Sequence, residues 1–210
     1  MGNDDANVRF NVGSKAVLDN VTFTDLDVFN ADSTSAYTRG GVINIAAGAK
    51  VTNLVIRDSI LTGTGGRSSI VGVSEPTAEI TVENCFISGT KYFVYGSAPI
   101  AKLNVVGCEI SDLSSWAILL NAGDAVGAKL TIDGCTFSNC KDGIAKYLGS
   151  SQPEGSYTVF TDNTLTDCAG HDASDAKWFA IPGATDTITV SGNTLDGNTW
   201  EPGVAQGLGK

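Results

Sequence analysis

A residue type that permits a sharp backbone bend recurs along the chain and constrains the fold more than any other feature. The recurring residue is always Asn, Asp or Gly, and it returns at intervals of 38, 26, 23, 27, 28 and 30 residues. These residue types adopt left-handed backbone conformations at the lowest cost. The pattern predicts one bend between two short strands in each of seven repeats. The bend column consists of Asn20, Asp58, Asn84, Gly107, Gly134, Asp162 and Gly192.

Apolar residues stand two positions before and three positions after each bend. A straight strand would place positions five apart on opposite faces, because its side chains alternate. One bend residue restores both positions to the same side, so we predict that both columns face the interior. The column before the bend is Leu18, Ile56, Val82, Val105, Ile132, Phe160 and Val190. The column after it is Phe23, Leu61, Ile87, Ile110, Phe137, Leu165 and Leu195.

Small residues follow each bend directly, and we expect them to point inward as well. They include two Asn side chains suited to hydrogen bonds within the stack, and three cysteines that we expect to be buried free thiols. This column is Val21, Ser59, Cys85, Cys108, Cys135, Asn163 and Asn193. A second Asp/Asn/Gly column lies five residues after the first and predicts a second turn: Asp25, Gly63, Gly89, Asp112, Asn139, Asp167 and Gly197. A third short strand then follows in each repeat.

Three short strands per repeat describe a solenoid in which each coil covers its neighbours. Through motifs such as VENCFI, IDGCTF and VSGNTL, the sequence resembles the right-handed parallel β-helix proteins of the pectate-lyase-like (pectin-lyase-like) superfamily. The resemblance implies an all-β, single-stranded right-handed parallel β-helix of about seven coils over residues 16–200. Residues 1–15 would form a lead-in or cap, and residues 201–210 a C-terminal tail. A β-sandwich is the alternative fold, but it has no reason to repeat its bends.

The net charge and the hydropathy of the chain argue against two kinds of partner, nucleic acid and the membrane interior. The chain carries 13 Lys and Arg against 23 Asp and Glu, a net charge of −10. This charge argues against nucleic acid as a partner, and no apolar run approaches the roughly 18 residues of a membrane span. The start, MGNDDANVRF, lacks the apolar core of a signal peptide. The resemblance nevertheless implies a secreted or cell-surface bacterial protein, and we expect further domains in a larger chain.

One constellation is suited to binding a ligand. A mostly basic column precedes the third strand: Arg39, Arg67, Lys91, Ser114, Lys141 and Lys177. Cations repeating along the solenoid axis match the carboxylates of a uronic-acid polymer, and nearby aromatic residues are suited to stacking on sugar rings. The candidate ligand-binding residues are Arg39, Arg67, Lys91, Lys141, Lys177, Tyr92, Tyr95 and Trp178. The alternative interpretation is that the cations are solvated and the aromatic residues fill the core.

Two functions follow from these features. We expect a non-catalytic module that binds an acidic polysaccharide or serves surface display, with no catalytic residue and no cofactor. The alternative is a polysaccharide lyase acting by β-elimination, for which Lys91 or Lys141 would supply the base and Ca²⁺ would be a cofactor, as the resemblance implies. We expect no metal site, because the chain has no Cys-x-x-Cys motif and its single His171 is not spaced to help. The sequence is compatible both with a disulfide between Cys140 and Cys168 and with two free thiols.

Overall fold

The computed structural model describes residues 10–30, 41–63, 69–120, 129–148, 155–170, 178–181 and 188–200. Within these ranges the chain forms short β-strands joined by turns, and no α-helix. The strands form three sheets, and each coil contributes to sheet 1, then sheet 2, then sheet 3. No helix of the described segments has the length and hydropathy of a membrane span.

The strand bounds repeat from coil to coil. Sheet 1 contains Phe10–Val12, Gly41–Ile45, Ser69–Val73, Tyr92–Gly96, Ile118–Leu120, Ala145–Tyr147 and Phe179–Ala180. Sheet 2 contains Val17–Leu18, Val21–Thr24, Lys50–Arg57, Thr77–Glu83, Ile100–Val106, Lys129–Asp133, Tyr157–Thr161 and Ile188–Ser191. Sheet 3 contains Asp27–Asn30, Ile60–Gly63, Phe86–Ser88, Glu109–Ser111, Thr136–Ser138, Thr164–Thr166, Thr194–Leu195 and Asn198–Thr199.

Strands of successive coils pair in parallel and in register, which confirms the predicted solenoid. In sheet 2, for example, Val105 lies opposite Val82 on one side and opposite Ile132 on the other. The single antiparallel pair among the described strands joins Thr194–Leu195 to Asn198–Thr199 at the C-terminal end. Each sheet therefore stacks strands from seven successive coils.

Positive φ angles mark the bends, as the sequence predicts. Asn84, Gly107 and Gly134 have φ values of 53°, 61° and 61° and separate a sheet-2 strand from the following sheet-3 strand. The second turn column has positive φ at Asp112 (56°) and Asn139 (52°), among others. These bends bring the two apolar columns to the same interior, because each bend reverses the alternation of side chains.

The core consists of the predicted columns plus the inward side of sheet 1. Ile56, Val82 and Phe160 before the bend, and Leu61 and Ile87 after it, are all fully buried. Each fully buried side chain of this size contributes about 1.5–3 kcal/mol relative to an exposed one. The hydrophobic stack continues along the axis, so each coil is stabilised chiefly by its two neighbours.

The first coil is in a different register from the one that the sequence predicted. Phe23 pairs with Ile56, and the Leu26 amide donates to Ser59 Oγ at 3.1 Å, so Asp25 (φ 54°) is the bend that aligns with Asp58. The true interval is 33 residues, and the prediction of Asn20 as this bend is wrong. Two turn columns five residues apart allow the alignment to slip by one turn. Asn20 has φ 56° and instead accepts a hydrogen bond from Asn53 Nδ2 at 3.2 Å, beside the strand Lys50–Arg57.

The solenoid includes part of the predicted lead-in. Phe10–Val12 pairs with Gly41–Ile45 as the first strand of sheet 1, which lies before residue 16. At the other end, the Trp200 ring lies 4.7 Å from Trp178 and 6.2 Å from Phe160, both edge to face. Trp200 thereby covers apolar surface that a further coil would otherwise bury.

Candidate functional site

The column directly after the bend forms a buried hydrogen-bonded stack in which the side chains of Ser, Cys and Asn accept equivalent backbone amides from the preceding coil. Asn163 Oδ1 accepts the Cys135 amide at 2.9 Å, and Asn163 Nδ2 donates to the Ile132 carbonyl at 3.1 Å. Cys135 makes the equivalent pair of contacts, since its sulfur accepts the Cys108 amide at 3.4 Å and its thiol donates to the Val105 carbonyl. The stack confirms that the predicted side chains point inward from Ser59 to Asn193, and it is structural. Val21 is not part of it, because Leu26 occupies its predicted position in the first coil.

All five cysteines are free thiols, as expected for Cys85, Cys108 and Cys135, and Cys140 and Cys168 are not bridged. Cys85, Cys108 and Cys135 are 2%, 1% and 1% exposed. Hydrogen bonds with the Cys135 and Cys85 thiols, together with burial, raise the pKa of the Cys108 thiol. Across the described ranges, no group of three or more His, Cys, Asp or Glu side chains is arranged to hold a metal ion. His171 lies outside the described residues.

Three of the five predicted cations, Arg39, Arg67 and Lys177, lie outside the described residues. The other two, Lys91 and Lys141, occupy the turn between sheet 3 and sheet 1, with Ser114 between them along the axis. The Ser115 amide donates to the Lys91 carbonyl at 3.1 Å, and the Lys141 amide donates to the Leu113 carbonyl at 2.9 Å. Lys91 and Lys141 therefore belong to the same corner two coils apart, roughly 10 Å by strand spacing.

Lys91 is part of an aromatic and cationic cluster on the outside of the solenoid. Its ammonium nitrogen lies 5.2 Å from the centroid of the Tyr92 ring, within cation–π distance. The Tyr92 and Tyr95 ring centroids are 5.1 Å apart at an interplanar angle of 49°. All three side chains are partly exposed. The structure thus brings together three of the eight residues that the sequence singled out.

Two consecutive buried residues explain how these side chains reach the same surface. Phe93 and Val94 are 1% and 0% exposed, so strict alternation is broken at the start of the strand Tyr92–Gly96. Tyr92 and Tyr95, three positions apart, consequently lie on one side. The same double burial recurs at Val42 and Ile43, Ile70 and Val71, Ala117 and Ile118, and Ile144 and Ala145.

A second cation beside this cluster was not among the predicted site residues. Tyr95, Leu119 and Lys146 are aligned on successive strands of sheet 1. Lys146 Nζ lies 5.6 Å from the centroid of the Trp116 ring, which is itself 3% exposed. The sequence signal for the outward position of Lys146 was a charged residue between Ala145 and Tyr147, both of which are buried in the structure. We call Lys91, Tyr92, Tyr95, Leu119 and Lys146 the sheet-1 strip.

Lys141 stands in a more mixed electrostatic environment. Lys141 is exposed and lies near the Asp112 carboxylate. Hydrogen bonds from Asn139, Ser111 and Ser88 lower the pKa of Asp112, and the charge of Lys141 adds a smaller effect in the same direction. Neither Lys91 nor Lys141 takes part in an ion pair among the described residues, whose ion pairs are Arg57 with Asp58 and Lys102 with Glu79. The acidic neighbour makes Lys141 a weaker anion-binding residue than Lys91.

The prediction that Trp178 offers a ring to a ligand is wrong. Trp178 is 4% exposed and packs edge to face against Trp200. Trp178 directly precedes Phe179–Ala180, the last described strand of sheet 1, and a large ring at this place covers the end of the core. For this residue the alternative interpretation, an aromatic side chain filling the core, is the correct one.

Comparison with known proteins identifies the fold family. The sequence matches the family described as right handed beta helix region over residues 2–207. No curated protein and no solved structure gives a significant match. The family match covers almost the whole chain and agrees with the parallel three-sheet winding described above. The protein belongs to the right-handed beta helix family.

Proposed function

We propose that the protein is a non-catalytic module of a secreted or surface-displayed bacterial protein, and that its sheet-1 strip binds an acidic polysaccharide. The observation that carries the proposal is the outward cluster of Lys91, Tyr92 and Tyr95. Partly exposed tyrosine rings offer apolar faces to sugar rings, while a nearby ammonium group offers a partner to a uronate carboxylate. Both chemical features of a uronic-acid polymer have a counterpart in this cluster.

The direction of the strip supports a linear ligand. Tyr95, Leu119 and Lys146 follow one another across neighbouring strands, so the strip runs along the solenoid axis with a repeat of about 4.8 Å. A polymer lying along that axis contacts the Tyr95 end and the Lys146 end at once. Several weak contacts then add up without a deep pocket.

The overall charge makes local contacts decisive. A net charge of −10 repels an acidic polymer at long range, so binding depends on cations that stand apart from carboxylates. Lys91 and Lys146 each lie over an aromatic ring instead of in an ion pair with a described carboxylate. These two lysines therefore carry the electrostatic part of the proposal.

The test is affinity electrophoresis and calorimetry with polygalacturonate, alginate and chondroitin sulfate. We expect Lys91→Ala/Lys146→Ala to weaken binding on the order of tenfold, because each exposed ion pair contributes up to about 1 kcal/mol. Tyr92→Ala/Tyr95→Ala should weaken binding to a similar extent. The matched control is Lys129→Ala, an exposed lysine on sheet 2, which should leave affinity unchanged.

Two results would contradict the proposal. Equal affinities for the wild type, both double variants and the control would remove the sheet-1 strip as the binding surface. Growth of ultraviolet absorbance from unsaturated uronides would show β-elimination, and its loss in Lys91→Ala or Lys141→Ala would establish the lyase alternative. Binding through Lys91 and Lys146 should also weaken as salt is raised, since exposed ionic contacts are screened.

A further inference from the structure

A second pair of cysteines lies at the corner between sheet 3 and sheet 1. Cys140 follows the strand Thr136–Ser138, and Cys168 follows the equivalent strand Thr164–Thr166 in the next coil. The Asn139 amide donates to the Thr166 carbonyl at 3.0 Å, and the Ala169 amide donates to the Cys140 carbonyl at 2.9 Å. These bonds on either side fix Cys140 directly opposite Cys168.

The two cysteines are neighbours across adjacent coils and differ in access to solvent. Both are free thiols, and each affects the pKa of the other. Cys140 is 1% exposed, whereas Cys168 is partly exposed. The remaining cysteines, Cys85, Cys108 and Cys135, are at most 2% exposed. Since all five cysteines of the chain lie in described segments, Cys168 is the thiol that a dissolved reagent reaches first.

Hydrogen bonding also favours the reactive form of Cys168. The neighbouring Cys140 thiol, acting as a hydrogen-bond donor, is the largest cause that lowers the pKa of Cys168 to about 7, against the opposing effect of burial. Asp196 faces Cys168 and opposes ionisation, and Asp112 does the same for Cys140. The bond with Cys168 and burial together raise the pKa of Cys140. Both shifts favour Cys168 as the thiolate of the pair and Cys140 as the protonated partner.

We propose that Cys168 and Cys140 form an oxidisable pair, in which Cys168 reacts with a peroxide and Cys140 resolves the product into a disulfide between adjacent coils. This modification site is independent of the polysaccharide-binding proposal. Cys140 and Cys168 directly follow paired strands and stay in register through the two flanking backbone bonds, so their Cα atoms are about 4.8 Å apart, within the Cα range of a disulfide. Parallel Cβ atoms at that spacing are slightly farther apart than the roughly 3.8 Å of an unstrained bridge, so the bond forms with a small shift of this corner and without refolding of the solenoid.

The chemistry balances with hydrogen peroxide as the two-electron oxidant. The Cys168 thiolate attacks one peroxide oxygen, an S–O bond forms, the O–O bond breaks, and the departing hydroxide takes up a proton as water. The Cys140 sulfur then attacks the Cys168 sulfur, the S–O bond breaks, and the Cys140 proton leaves with the hydroxide as a second water. Both thiols lose one hydrogen, and one peroxide is reduced to two waters.

The experiment uses the full chain, first reduced, then exchanged into buffer and treated with hydrogen peroxide. Free thiols are alkylated under native conditions, and peptides are mapped by mass spectrometry. We expect a cross-linked peptide pair containing Cys140 and Cys168, and an intact mass lower by two hydrogen atoms. Cys85, Cys108 and Cys135 should be alkylated only after unfolding. The oxidised protein should melt several degrees higher, because the bond closes a loop in the unfolded chain.

Variants separate the roles of the two residues. Cys168→Ser should abolish the cross-link, and Cys140→Ser should leave a sulfenic acid on Cys168 that dimedone traps. Cys108→Ser is the matched control, a cysteine substitution in the other stack that should retain the cross-link. Circular dichroism verifies that each variant is folded. Failure of peroxide to cross-link the wild type, or oxidation of wild-type Cys168 to sulfinic acid or to an intermolecular dimer in place of the bond, would overturn the proposal.

Discussion

Replacing Asn163 with Ala tests whether the buried stack after the bend holds the coils together. Asn163 is 1% exposed, and its side chain makes three hydrogen bonds to neighbouring coils. Its Oδ1 accepts the Cys135 amide at 2.9 Å, and its Nδ2 donates to the Ile132 carbonyl at 3.1 Å and to Asn193 Oδ1 at 3.0 Å. Alanine removes all three bonds from a site that water does not reach.

The expected loss follows from these contacts. The buried Cys135 amide is left without its side-chain acceptor, which costs about 1–3 kcal/mol, and each of the other two bonds is worth about 1 kcal/mol. The sum is about 3–5 kcal/mol. For a chain of this size, each kcal/mol lowers the melting temperature by about 2–4 °C, so Asn163→Ala should melt roughly 10 °C lower. Thermal unfolding followed by circular dichroism measures the shift.

Asn163→Cys is the informative control, because cysteine fills the same position in the preceding coil. The Cys135 sulfur accepts an amide at 3.4 Å, so a cysteine at position 163 should recover much of the stability under reducing conditions. Asn104→Ala, on the outer side of sheet 2, should shift melting by only a few degrees. An Asn163→Ala variant as stable as the wild type, or an Asn163→Cys variant no better than alanine, would refute the reasoning.

Three further substitutions probe other features of the fold. Tyr147→Phe should raise stability by about 1 kcal/mol in urea unfolding, because the Tyr147 hydroxyl is buried without a partner among the described residues. Gly89→Ala should unfold at lower urea than Gly134→Ala, since both have positive φ but only at Gly89 would the new methyl group strike a neighbouring backbone carbonyl. The folded-state pKa of Asp112 is lowered, chiefly by the Asn139 amide. The Asp112 carboxylate therefore stabilises the fold above about pH 4, and this stabilisation is lost when the carboxylate is protonated at lower pH. We expect Asp112→Asn to lose less melting temperature than the wild type as the pH falls below about 4.

The fold was predictable because its signal repeats. Bends at Asn84, Gly107 and Gly134 recur with apolar residues at fixed distances. Each repeat supports the same strand-and-bend assignment, so the assignment does not depend on any single segment. The register of the first coil was not predictable by the same means. Asn20 and Asp25 both match the bend pattern. The register is determined by pairing with the next coil, in which the Leu26 amide contacts Ser59, 33 residues away along the chain.

The candidate site was only partly predictable, because strand alternation fails where each sheet-1 strand begins. The sequence identified Lys91, Tyr92 and Tyr95 but left open the face on which they lie. The adjacent buried residues Phe93 and Val94 determine that face, and their burial depends on how the corner packs. Trp178 was misassigned for a related reason, since its burial results from the Trp200 ring that follows 22 residues later.

The equivalence of Ser, Cys and Asn in the buried stack has a consequence for how such a protein changes length. Each of these residues accepts a backbone amide of the preceding coil with its side chain and donates its own backbone amide to the next coil, as Asn163 does with Cys135 and Asn193. A duplicated coil would therefore insert as a self-sufficient unit, with both of its junctions already chemically matched. Gene duplication within the repeat can lengthen the outer surface one step at a time and leave the interior rules intact.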